Sequence, residues 1–197
     1  MELRATALWM SGVGPEAEGR VEFTILLERA ISGDVSAFEQ IILRYERRVF
    51  SLAWRLLGKP EDAQDASQEV FLRAFRYLHR FDQRRPFEPW LMKMTVNVCH
   101  DLSRKRHVQP QDLINPDVLR ADDDPYHELH TEQQRTILYR TLQQLPEKER
   151  AAVVLRDVEG LSTAEVAEIL GSSEATVRSQ ISSARLKIKK AVKRGHV

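Results

Sequence analysis

From Glu22 onward the apolar residues return every three or four positions and almost nowhere every second one, so the chain is written for helices. Phe23, Leu26, Leu27, Ala30 and Ile31 make the first stripe, and Gly33-Asp34 breaks it. Phe38, Ile41, Ile42, Tyr45, Val49, Leu52, Ala53 and Leu56 carry a second over about 35–57. Gly58-Lys59-Pro60 stops it, because glycine suits a left-handed helix end and proline cannot continue a helix. The spacing predicts a third helix over about 60–79, with Val70, Phe71, Ala74, Phe75 and Leu78 inward, and a fourth from the Pro86–Pro89 loop to about Arg106. The pattern resumes near His130, runs through Ile137, Leu138, Leu142 and Leu145, stops at Pro146, and returns over about 147–158. No hairpin signal competes.

The expected fold is therefore all-α: two small helical domains joined by a flexible acidic linker, the second a four-helix domain. Residues 108–124 hold Pro110 and Pro116, with Pro125 following, and few large apolar side chains, which suits a linker. The expected division is a poorly ordered extension over 1–20, with Met10 a candidate start, then a first domain over 21–107, a linker over 108–129 and a second domain over 130–197.

Charge sharpens this division. The 30 basic and 29 acidic residues leave a net charge of +1, but they are segregated. Between 71 and 106, Arg73, Arg76, Arg80, Arg84, Arg85, Lys93, Arg104, Lys105 and Arg106 meet only Asp82, Glu88 and Asp101. From Gly171 to the end, Arg178, Arg185, Lys187, Lys189, Lys190, Lys193 and Arg194 meet only Glu174. Between these blocks, 107–134 is acidic. Two basic blocks about an acidic bridge imply two surfaces that face polyanions. The single cysteine, Cys99, has no internal disulfide partner and suits a reducing cytosol. No apolar run approaches the roughly 20 residues of a membrane span, and the start lacks the apolar core of a signal peptide. The expected location is cytoplasmic, without membrane insertion.

The most specific local signal lies over 161–178. Ser162 with Glu165 three residues later forms a capping box that opens a short helix. Gly171 supplies the left-handed residue that ends it, and Ser172 or Ser173 caps the next helix, with Val177, Ile181, Ala184 and Ile188 on one side. Helix, glycine turn, helix is the helix-turn-helix signature, whose second helix enters the major groove. At about 100° per residue, Arg178, Ser182, Arg185 and Lys189 share an outward stripe. Arg178 and Ser182, flanked by Ser173, Thr176 and Ser179, are placed for base edges, and Arg185, Lys187 and Lys189 for phosphates. An ordinary amphipathic helix with a solvated basic face is the bland alternative.

In the first domain, Asp62, Asp65 and Glu69 are three and four apart and are expected to share a face, together with Gln68. Favourable charge near a helix N-terminus explains them equally well as a partner site. Farther on, Asn97, Asp101 and Arg104 line one side of a helix that ends in the basic triplet Arg104-Lys105-Arg106, polar groups able to read bases beside cations able to hold phosphate.

Taken in order, Ala37-Phe38-Glu39, Asp65 to Phe71, Trp90-Leu91 through Asn97, Asp101 and Arg104, and the helix-turn-helix resemble the extracytoplasmic-function (ECF) group of bacterial sigma factors, over nearly the whole chain from Phe23 to Val192. The resemblance implies a non-enzymatic factor without cofactor or metal, which binds core RNA polymerase and directs promoter recognition as a stress or envelope-signal regulator. It implies docking of the first domain on the clamp helices of the largest polymerase subunit through Asp62, Asp65, Gln68 and Glu69. The 79–88 loop, with Arg80, Arg84 and Arg85, would capture a base of the melted non-template strand, beside Asn97, Asp101, Arg104, Lys105 and Arg106. The second domain would read the distal promoter element as duplex through Ser173, Thr176, Arg178, Ser179, Ser182, Arg185 and Lys189. It also implies an anti-sigma factor; the free chain is expected to be closed or to bind DNA weakly. Gln180 and Ser182 depart from the family pattern, which often places bulkier or basic residues there.

Two rival readings are set against this. A stand-alone helix-turn-helix regulator explains the tail but gives 62–106 no purpose. A metal enzyme would rest on His100, His107, His127, His130 and Cys99, of which only His127 and His130 have helical ligand spacing. No phosphate-cradling glycine loop or nucleophile elbow is present. Phe71, Phe75 and Trp54 are expected in the core, whereas Phe81, Phe87 and Trp90, flanking the loop, fit either core or stacking platform.

Overall fold

The structure is a computed structural model in which residues 15–106 and 129–194 are described. The expected linker lies almost wholly outside the described residues, as does Met10. Helix α1 covers Pro15–Ile31, so the expected extension over 1–20 gives way to helix at Pro15, a residue whose fixed φ suits a first turn. Gly33, at φ 96°, turns the chain into α2, Val35–Leu57. The Asp34 side chain caps α2, accepting from the Ala37 amide at 3.1 Å. Hydrogen bonds from Ser36 and Arg29 with that amide hold its carboxyl down at about 2. Gly58, at φ 81°, closes α2 as its glycine and proline predict.

Helix α3, Pro60–Tyr77, starts on that proline and ends in a 3-10 turn over Leu78–Arg80. Helix α4 covers Phe87–Arg106. Ile41, Val49 and Leu52 of α2, Ala63, Ala66 and Val70 of α3, and Leu91, Met92 and Val96 of α4 fill the first core, each at most 2 % exposed. The rings of Phe81, Phe87 and Trp90 lie 5.2 to 5.5 Å apart, with Phe81 and Phe87 buried, so they pin the loop between α3 and α4 to the core instead of standing free for stacking. Phe75, expected inward, is 48 % exposed and lies against the Phe38 ring.

The second unit comprises α5, Leu129–Gln144; α6, Glu147–Val153; α7, Thr163–Leu170; and α8, Glu174–Arg194. The helix expected over 147–158 loosens into a π turn at Val154–Val158. Val154, Leu155, Val166, Val177 and Ala184 are buried at its centre. These eight α-helices, with no strand among the described residues, make the fold all-α.

The two units touch. Helix α2 meets α5, and α4 packs on α7. Trp54 lies 4.5 Å from the Tyr139 ring. The terminal carbonyls of α2, orphaned at any helix end, accept from Gln143 Nε2 (Arg55 O, 3.0 Å) and Arg150 Nη1 (Leu56 O, 2.8 Å). A Cβ at Gly58 would sit 2.6 Å from the Gln143 side-chain oxygen, so a larger residue here would displace that side chain besides having to adopt φ 81°.

Candidate nucleic-acid interface

The capping box opening α7 is complete: Glu165 N donates to Ser162 Oγ at 3.2 Å and Ser162 N donates to Glu165 Oε2 at 2.7 Å. Hydrogen bonds from Ser162 lower the Glu165 carboxyl from its usual range. Gly171 turns the chain at φ 58°, and Ser173, rather than Ser172, caps α8 by accepting from the Thr176 amide at 3.2 Å. The Ser173 and Thr176 hydroxyls are 2.9 Å apart, so both shape the helix start while staying exposed.

Arg178, Ser179, Ser182, Arg185 and Lys189 are all exposed on α8. Arg178, Ser182 and Arg185 line a shallow groove of about 330 Å³ with Arg156, Thr163 and Ile181. Arg156 and Thr163 escaped sequence reasoning. Arg156 stands on the π turn and donates to Leu161 O at 2.7 Å, and only the packing of that turn brings it beside α8. Arg178 pairs loosely with Glu174 at 3.4 Å. Arg185 is gripped by both Asp157 oxygens, at 2.8 and 2.6 Å, which orients its guanidinium and occupies its Nε and Nη2. Lys187, expected on the phosphate side, bonds Glu149 at 2.7 Å on α6 instead. It projects from the far side of α8, about 180° from Arg178 and about 160° from Lys189.

On α4, Asn97, Arg104 and Lys105 are exposed and Asp101 is half-buried, whereas the Arg106 side chain lies outside the described residues. Asp101 accepts from Arg73 at 3.2 Å and from Arg104 at 3.5 Å. In the preceding loop, Arg84 is held bidentate by Asp82 at 2.9 and 3.0 Å, which lowers the Asp82 carboxyl. The Arg80 guanidinium stacks over the Tyr77 ring at 5.6 Å, and Arg85 reaches Glu168 of the second unit at 2.6 Å.

The carboxylate face on α3 is narrower than its spacing implies. Asp65 and Gln68 are exposed, and Glu69 is half-buried and accepts from Arg73 at 2.6 Å. Asp62 is only 4 % exposed. The first turn of α3 faces the core on that side, so Asp62 does not share the outer surface. Arg73 spans Glu69 and Asp101 and so joins the α3 face to the α4 face.

Among the described residues, no cluster of His, Cys, Asp or Glu side chains is arranged to hold a metal ion; His107 and His127 lie outside them. No described helix is long and apolar enough to cross a membrane. What the site can do is bind an extended polyanion: two cationic, hydroxyl- and amide-bearing helix faces, α4 and α8, stand on separate units.

The comparisons agree with this geometry. The family model for Sigma-70 region 2 matches residues 41–108, and that for Sigma-70, region 4, matches 135–188. The RNA polymerase sigma-H factor of Pseudomonas aeruginosa is 32 % identical over 177 residues, covering 85 % of this chain and 92 % of that protein. The ECF RNA polymerase sigma-E factor of Escherichia coli K12 is 32 % identical over 171 residues, covering 82 % and 89 %. Among solved structures, CnrH in complex with the cytosolic domain of CnrY superposes with a TM-score of 0.64 at 28 % identity, covering 87 % of this chain and 97 % of that one. RpoE of Bartonella quintana, solved with the anti-sigma factor NepR, has a TM-score of 0.66 at 21 % identity over 79 % of this chain and 96 % of its own, a likeness of fold.

Proposed function

This chain belongs to the ECF sigma factors of bacterial RNA polymerase, and from that membership we propose which of its faces does which part of a sigma factor's work. A sigma factor binds core polymerase and directs promoter recognition and transcription initiation, and no catalytic step falls to this chain. The first unit docks on the clamp helices of the largest polymerase subunit through Asp65, Gln68 and Glu69. It holds the proximal promoter element, as melted non-template strand, with Asn97, Asp101, Arg104 and Lys105 of α4 and with Arg80, Arg84 and Arg85 of the loop. The second unit reads the distal element as duplex: Arg178 and Ser182 against base edges, Arg185 and Lys189 against phosphate, with Arg156 added to the groove. The observation that carries this reading is the outward stripe of α8 behind a fully capped helix-turn-helix.

Neither unit need bind DNA tightly alone. Polymerase holds both on one template, and tethering raises the effective concentration of the second contact. The chain works in the cytoplasm, and its regulation suits a stress or envelope signal relayed by an inhibitory protein. CnrH, a solved relative, carries the cytosolic domain of CnrY.

The docking face is tested by replacing Asp65 and Glu69 with Arg and measuring co-elution with core polymerase. The double variant is expected to keep its helix content and lose the complex. Retention of wild-type affinity would refute that face.

A further inference from the structure

We propose that Asp157, on the π turn, is a positioning residue for Arg185 and sharpens the distal reader's discrimination between its own duplex and any other. The inference deepens the reading of α8 given above and rests on it. Across the π turn, Glu159 N donates to Val154 O at 3.0 Å and Leu161 N donates to Leu155 O at 3.1 Å. Such a widened turn is rare and recurs at functional sites. Here it sets two consecutive side chains of opposite charge against α8. Arg156 lines the groove with Arg178, Ser182 and Arg185. Asp157 holds Arg185: Oδ2 accepts from Nε at 2.8 Å and Oδ1 from Nη2 at 2.6 Å.

The grip is not what holds α8 in place. The Arg185 and Asp157 side chains are 59 % and 31 % exposed, and an ion pair this open to water adds little to stability. Val177, Ile181 and Ala184 already bury the inner face of α8. What the pair removes is freedom. An unpaired arginine swings on a long stem and reaches a phosphate in almost any register. Held by Asp157, Arg185 offers Nη1, which has no partner among the described residues, from one fixed position at the groove. The pair also carries no net charge, so it attracts duplex less from a distance. Its neighbours on the stripe are not held this way. Arg178 meets Glu174 of its own helix in a single contact at 3.4 Å, and Lys189 is exposed.

Specificity is a difference of affinities, and an element that weakens the wrong complex serves it as well as one that strengthens the right one. When Arg178 and Ser182 find their base edges they fix the register of α8, and in that register Nη1 of the held Arg185 meets a phosphate. On other sequences α8 settles in shifted registers, where a held guanidinium misses. Asp157 thereby withholds one cationic contact from the wrong duplex while keeping it on the right one. Arg156 is restrained from the same turn, its Nη1 donating to Leu161 O at 2.7 Å, so the π turn fixes two guanidinium groups at the groove.

The test uses the full chain and fluorescence anisotropy on two duplexes: one carrying the distal element selected by run-off transcription with core polymerase from a promoter library, the other a random pool. Asp157→Ala is expected to tighten the random pool about fivefold at about 0.1 M salt, with a salt slope steeper by about 0.9, one phosphate. The selected duplex gains less, so the preference for it falls about threefold. In an Arg185→Ala background the same substitution is expected to change neither duplex, an outcome that a general charge effect or a purely structural role would not give. Asp157→Asn, which keeps the size and one acceptor, is expected to shift both readings the same way by less, and reports even if Asp157→Ala fails to fold. Random-pool binding unchanged or weaker in both variants, an equal gain on both duplexes, or a gain that persists without Arg185 overturns the role of Asp157. Run-off with the unmutated chain separates this from the reading beneath it. Preference for the selected over a scrambled distal element keeps α8 as the reader whatever Asp157 does, and absence of that preference removes the reading instead.

Discussion

Arg178 and Lys189 share a stripe on α8 but are expected to fail differently. Arg178 lies at the helix start, where side chains reach base edges, so Arg178→Ala should weaken distal-element duplex by roughly 1–3 kcal/mol and relax sequence preference there. Lys189, farther along, is placed for phosphate. Lys189→Ala should weaken all duplexes alike and lower the salt slope by about one. Titrations at several salt concentrations separate the two. Cys99 makes a simpler prediction. Burial pushes its thiol up to about 12, so it stays protonated at pH 8 and should resist thiol reagents until the chain is unfolded. Legibility at this scale follows from locality. The α8 stripe was readable because a helix's own turn sets it. Asp62 was misjudged because periodicity places it with Asp65 and Glu69, whereas the packing of α3 decides which edge of that arc is covered. Phe75 erred in the opposite direction for the same reason, whereas Lys187 stands opposite the stripe by helical rotation alone, where it meets Glu149.

Among the elements, α7 is the one whose start is most heavily specified. Ser162→Ala removes a cap and should cost about 1 kcal/mol in chemical unfolding. Glu165, the other half of the box, has a folded pKa below its unfolded value. Its contribution is therefore present above the unfolded pKa of Glu and is lost as pH falls through the folded one. In the first unit, Leu91 is fully buried where α4 meets α2 and α3, and Leu91→Ala should cost roughly 2–5 kcal/mol. Helix ends written in glycine, proline and capping side chains were legible: Asp34, Gly58, Pro60, Ser162, Gly171. The π turn at Val154–Val158 was not, because no residue there breaks a helix. The turn sets Glu159 against α2 and Arg156 against α8, and those are tertiary contacts. The start of α1 at Pro15 was likewise hidden by weak periodicity before Val21.

For the whole molecule, charge segregation announced two polyanion-facing surfaces and the resemblance supplied the machine between them. Nothing local encodes Arg48 with Glu159 or Gln143 with Arg55, since such pairs are set by how one unit lands on the other. The account requires that α4 and α8 act together on one DNA, held at a fixed separation by polymerase. The direct test is run-off transcription by core polymerase with this chain, first on a promoter library and then on a selected promoter with spacer insertions. An insertion of about five base pairs, half a turn of duplex, should abolish product, and about ten should leave it weak because the span no longer fits. Transcription that ignores the spacer, or that core polymerase supports equally well without the chain, would contradict the account.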